Sequence, residues 1–166
     1  MDALIKWLPE IIPVGDKTTI VHGDYRIDNM VLHPTEPRVI AVLDWELCTL
    51  GDPLADFTYH LLNWMMPSSD SSRGALVDIE DMQSYGIPTM EEYVELYCKH
   101  TGRDSLPEVN YYFAYNAFRL GAICQGIVGR VRDGTANSAN ADAMEARVAP
   151  LTAFAADYAR KAGMKA

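Results

Sequence analysis

The residues of this chain best suited to chemistry fall in two short clusters, His22-Gly23-Asp24-Tyr25-Arg26-Ile27-Asp28-Asn29 and Leu43-Asp44-Trp45-Glu46. Asp24 and Asn29 stand five residues apart, and Asp44 follows fifteen residues beyond Asn29. A carboxylate, an amide and a second carboxylate suit the transfer of a phosphoryl group to an alcohol. That reaction needs an acceptor for the hydroxyl proton and hard oxygen ligands for a magnesium ion, and it leaves the protein little covalent work. Asp24 is then the candidate base, and Asn29 and Asp44 the candidate metal ligands. His22 and Asp24 also admit a reading as two ligands of an iron facial triad. That chemistry needs a distal histidine on a strand, whereas His60 and His100 fall in helical patterns.

The elements that must hold these clusters are legible around them. Thr18-Thr19-Ile20-Val21 is β-branched and runs straight into His22 as a strand. Met30–Leu32 and Val39–Leu43 are apolar runs separated by His33-Pro34-Thr35-Glu36-Pro37-Arg38, whose two prolines favour a turn. Residues 30–43 therefore read as a hairpin, with the His-Gly-Asp loop before it and Asp44 at its end. Asp52 and Pro53 mark a helix start, as N-cap and first residue, for a helix to about Trp64. Thr89-Met90-Glu91-Glu92 is a capping box for a helix ending at Thr101, with Gly102 as its stop. A short helix over 2–8, stopped near Pro9, precedes all of this. A long periodic helix from Pro107 to Gly134 and a last one over 139–162 follow. Residues 67–88, with their serine cluster, read as a loop, and 135–139 as a linker.

Composition sets the frame. With 166 residues, 49% of them apolar and 22% charged, the chain supports one domain, 1–166, with its own core. A net charge of −9 and scattered arginines argue against a nucleic-acid partner. No run of about 18 apolar residues predicts a membrane span, and the first residues lack the features of a signal peptide. Cys48, Cys98 and Cys124 are far apart, which fits free thiols in a reducing compartment and the cytoplasm as the default location.

The spacing of Asp24 and Asn29 is that of the H-x-D-x-x-x-x-N loop of kinases, and Asp44 stands where their metal-binding turn follows. With Gly51-Asp52-Pro53-Leu54-Ala55-Asp56 added, the chain resembles the aminoglycoside phosphotransferase/choline kinase family. The wording is closest to the branch associated with acyl-CoA dehydrogenases, some members of which phosphorylate a hydroxyl on a hydroxyacyl-CoA. The resemblance implies an α+β, mainly helical fold, a protein-kinase-like C-terminal lobe whose small hairpin carries the catalytic loop and metal-binding turn. It implies ATP as phosphate donor, Mg2+ held by Asn29 and Asp44, and a small hydroxyl-bearing molecule as acceptor. Asp24 orients and deprotonates that hydroxyl, His22 packs and orients the loop, and Asp56 pins it through backbone N–H groups. Arg26 contacts a substrate or the transferred phosphate, since a guanidinium suits phosphate oxygens.

No G-x-G-x-x-G and no G-x-x-x-x-G-K-[ST] occurs, and Lys6 and Lys17 are not on a convincing sheet. The N-terminal nucleotide lobe of the family is therefore expected to be a missing partner, and this chain a truncated catalytic lobe with little activity alone. The alternative is a non-catalytic, pseudokinase-like binding domain that keeps the loop. Plainer roles stand beside the functional ones. Asp28 reads as solvated or locally hydrogen-bonded, Asp52 as a cap, and Tyr111, Tyr112, Tyr115 and Phe118 as core. Tyr112 and Arg119 are held open as residues facing the cleft.

Overall fold

Capping chemistry starts the helix after the clusters as its sequence predicts. Asp52 Oδ1 accepts from the Leu54 N–H at 2.9 Å, and α2 runs Leu54–Met65. The computed structural model describes residues 1–15, 17–65, 79–135 and 141–165. The serine cluster of the expected 67–88 loop, most of the 135–139 linker and the first residues of the expected 139–162 helix lie outside the described residues. No described helix is long and apolar enough to cross a membrane.

The chain gathers into two units, Lys17–Pro107 and the pair of segments Met1–Asp16 and Glu108–Ala166. The first unit holds the candidate site residues. Its strands are β1 (Thr19–Val21), β2 (Met30–Leu32), β3 (Val39–Val42) and β4 (Thr49–Gly51), followed by α2 and by α3 (Met90–Thr101). β2 and β3 form the expected hairpin, antiparallel with Met30 opposite Val42. The sequence reading missed β4, which pairs antiparallel with β1, Thr19 opposite Gly51. Thr49-Leu50-Gly51 carries no alternation of its own, and only a partner distant in sequence makes it a strand. A turn of 3-10 helix over Ile79–Tyr85 was likewise not expected.

The core of this unit joins leucines of α2 to an aromatic cluster shared with α3. Leu54, Phe57, Leu61 and Leu62 are buried on α2. Phe57 stacks on Tyr97 of α3, ring centroids 3.6 Å apart, and Trp64 stacks on Tyr93 at 5.0 Å. The Trp64 indole donates to the Pro88 carbonyl at 3.0 Å, so α2 is fixed at both ends. Both bonds of the capping box between Thr89 and Glu92 are made, and Gly102 closes α3 in the left-handed region.

The second unit is three helices, α1 (Asp2–Glu10), α4 (Val109–Arg132) and α5 (Ala141–Lys161). Alanines 114 and 117 on α4, and 155 and 159 on α5, are fully buried, so the two long helices approach closely. Tyr111 is buried near Trp7 and donates to the Leu8 carbonyl at 3.0 Å, which ties α1 to α4. α1 extends through Pro9 to Glu10, since a proline in the last turn removes a single bond. α4 begins at Val109 rather than Pro107 because Glu108 is left-handed, φ 51°. The whole is α+β and mainly helical.

Candidate active site

The loop after β1 is built around a glycine. Gly23 has φ +84°, and a Cβ there would lie 2.7 Å from the Leu47 carbonyl oxygen. No L side chain fits that backbone or that gap. Gly23→Ala is expected to cost about 2–4 kcal/mol, read as a lower urea midpoint with an unchanged slope.

The turn is held from the opposite side by α2. Asp56, in the first turn of that helix, accepts from the His22 N–H at 2.5 Å and from the Gly23 N–H at 2.9 Å, one carboxylate oxygen for each. His22 is 3% exposed. Its Nδ1 accepts from the Asp24 N–H at 3.2 Å, so Nε2 carries the proton and donates to the Leu43 carbonyl at 2.8 Å. With both ring nitrogens engaged, His22 has no lone pair for a metal, which removes the iron reading. The ring orients the loop and links it to the residue before Asp44.

Asp24 projects from this turn, half-buried. Asn29 Nδ2 donates to the Asp24 backbone carbonyl at 2.8 Å and to its Oδ2 at 3.2 Å. On the other oxygen, Oδ1, the Tyr59 hydroxyl donates at 3.3 Å. Asn29 lies on a single 3-10 turn, Ile27–Asn29, at the start of β2. The Leu43 N–H donates to the Asn29 carbonyl at 2.8 Å, which continues the hairpin ladder by one rung. That register puts Asn29 and Asp44 at the same end of the hairpin.

Asp44 is left-handed, φ 65° and ψ 51°, and its side chain caps nothing in the 3-10 turn that follows it. Aspartate is among the few residues that tolerate this conformation, and strain of this kind gathers at functional turns. Trp45 braces the turn. Its indole donates to the Val42 carbonyl at 2.8 Å, and its ring lies 4.7 Å from that of His22.

The donor set fits magnesium. Asn29 spends its NH2 group on Asp24 and keeps Oδ1 as an acceptor, and Asp44 offers an exposed carboxylate. Two hard oxygen ligands beside water and phosphate oxygens are what this ion takes, rather than a closed protein cage. Among the described residues no three His, Cys, Asp or Glu side chains form such a cage.

Arg26 pairs with Asp28, its Nε at 2.7 Å from Oδ2. Both line a cavity of about 240 Å3 with Tyr25, Tyr59, His60 and Trp64. Tyr112 and Arg119 belong to the other unit. Tyr112 is buried there, and Arg119 lines a groove on α4 with Tyr115 and Phe118. Spacing alone missed Tyr59 and Trp45. The available signals were a tyrosine three residues after Asp56, on the same helix face, and an aromatic beside Asp44.

His60 is largely buried between Tyr25 and Tyr93, and desolvation lowers its pKa despite a bond to the Tyr25 backbone. The fold favours the neutral ring, whereas the unfolded chain takes a proton near pH 6.5. Stability from this group is complete above that value and declines as pH falls below it. Melting temperature should therefore drop from pH 7.5 to pH 5 less steeply in His60→Gln than in the parent chain.

Residues 1–93 match the model of the Phosphotransferase enzyme family. A solved structure from Ralstonia eutropha JMP134, assigned as a candidate aminoglycoside phosphotransferase, superposes with a TM-score of 0.83 at 46% identity, covering 96% of this chain and 48% of that one. Mouse acyl-CoA dehydrogenase family member 10 is 42% identical over 165 residues, 99% of this chain and 15% of its own length. Human family member 11 is 38% identical over 157 residues, 91% of this chain and 19% of its own. The chain thus spans about half the matched structure and a fifth or less of these two relatives. The fold is that of kinase-like phosphotransferases, in keeping with a C-terminal lobe, and the chain belongs to the Phosphotransferase enzyme family.

Proposed function

We propose that this chain carries the base and metal ligands of an ATP-dependent phosphotransferase acting on a small-molecule hydroxyl. The observation that carries the reading is the Asp24 carboxylate, held by Asn29 at the head of a hairpin whose other strand leads into the Asp44 turn. In this reading Asp24 accepts a hydrogen bond from the acceptor alcohol and takes its proton as the bond to phosphorus forms. Asn29 and Asp44 are the residues that hold Mg2+, which when bound neutralises charge on the phosphate oxygens. Arg26 stands at the acceptor cavity, where its guanidinium edge turned away from Asp28 is suited to a phosphate or substrate anion. The likeness to acyl-CoA dehydrogenase family members favours a hydroxyacyl-CoA as acceptor over an aminoglycoside.

The nucleotide lobe is the proposed partner. Nine large apolar side chains are exposed between Ile20 and Leu50, among them Ile20 at 68%, Leu50 at 72% and Leu47 at 57%. An apolar concentration of this kind marks a surface that another body covers. The test is transfer of labelled phosphate from Mg-ATP to a panel of alcohols that includes a hydroxyacyl-CoA, by this chain alone and by this chain joined to a nucleotide lobe of the family. Activity is expected chiefly in the latter. Transfer undiminished in Asp24→Ala would overturn the reading.

A further inference from the structure

Helix α2 contacts the loop residue by residue along one face. Asp56 takes the N–H groups of His22 and Gly23. Tyr59, one turn on, reaches the Asp24 carboxylate, and the adjoining His60 meets the backbone of Tyr25. Positions i, i+3 and i+4 share a helix face, so a single rigid element fixes four consecutive residues of the loop. Of these contacts only Tyr59 touches the side chain that does the chemistry. Tyr59 also lines the 240 Å3 cavity, so one residue links the cavity wall to the Asp24 carboxylate.

Asp24 is thereby gripped from two sides by independent elements, Asn29 on Oδ2 and Tyr59 on Oδ1. A carboxylate with one anchor still rotates about its last bond, whereas two anchors fix the plane in which it meets an incoming hydroxyl. The Tyr59 contact, at 3.3 Å, is long for a hydroxyl donor. Catalytic hydrogen bonds are often long before substrate binds and tighten in the complex. A long contact also leaves Oδ1 able to take a second donor, the acceptor alcohol itself.

From this geometry we infer that Tyr59 is a positioning residue for phosphoryl transfer, setting the Asp24 carboxylate toward a hydroxyl that enters through the cavity. The inference rests on Asp24 being the base. Tyr59→Phe tests it, because the ring and the cavity wall stay and only the hydroxyl goes. In the 166-residue chain, labelled at aspartate carboxyl carbons, the Asp24 resonance should move while those of distant aspartates such as Asp142 and Asp157 stay. In the chain joined to a nucleotide lobe of the family, kcat should fall roughly 10-fold or more, with KM within about 2-fold of the parent. An unmoved Asp24 resonance overturns the contact, and an unchanged kcat overturns the positioning role. If no alcohol tested takes phosphate, the resonance decides alone. Full activity in Asp24→Ala would instead remove the base assignment, and the carboxyl resonance would still report whether Tyr59 holds Asp24.

Discussion

Asp24→Ala is expected to lower phosphate transfer by about 10²–10⁴-fold, the range that a positioned base contributes. The fall should appear in kcat, since alanine removes the proton acceptor and leaves the cavity walls in place. Binding of Mg-ATP should change little, because the proposed metal ligands are Asn29 and Asp44. Folding should also survive. Asp24 is half-buried, and its side-chain partners, the Asn29 amide and the Tyr59 hydroxyl, turn to water when the carboxylate is gone. The Asn29 side-chain amide still donates to the Asp24 backbone carbonyl and keeps the loop's shape. Rate measurements beside a urea titration separate the two effects. A large loss of stability with the loss of rate would mean that Asp24 is chiefly a structural residue.

Asp56→Ala should damage the fold first and activity through it. Its two carboxylate oxygens are the acceptors for the N–H groups of His22 and Gly23. Without them both donors are stranded beside a buried imidazole, at about 1–3 kcal/mol each, or roughly 2–6 kcal/mol together. The carboxylate also sits in the first turn of α2, where the helix dipole favours negative charge, and that contribution is lost as well. Asn at this position does not repair the site. Its one oxygen serves one N–H, and its NH2 faces the other donor. The order of stability expected in urea is therefore parent, then Asp56→Asn, then Asp56→Ala. Equal midpoints for all three would show that these bonds contribute nothing.

What was legible in the sequence is what local chemistry decides. The capping box at Thr89, the cap at Asp52, the stop at Gly102 and the hairpin over residues 30–43 each depend on neighbours within a few positions, and each is in place. The order and spacing of His22, Asp24, Asn29, Asp44 and Asp56 were likewise readable, because one loop and one hairpin bring most of them together. The rest depended on distant partners. β4 exists because Val21 lies opposite Thr49, and nothing in Thr49-Leu50-Gly51 announces that pairing. Tyr59 looks like any aromatic on an amphipathic helix until the loop is folded against it.

The pairing of β1 with β4 has a consequence for how the molecule comes together. Thr19 opposite Gly51 ties a neck on the chain, and His22, Asp24, Asn29 and Asp44 all lie within the noose, with Asp56 latching it from just outside. Drawing together the ends of a loop of about thirty residues costs on the order of 3 kcal/mol in chain entropy before any contact within it forms. The local hairpin already sets Asn29 near Asp44, and the β1–β4 closure adds the strand that leads into His22 and Asp24. A half-folded chain would carry the helices and the hairpin, with their local signals, and not the completed constellation. Completion of the candidate site then reports on completed folding of this unit.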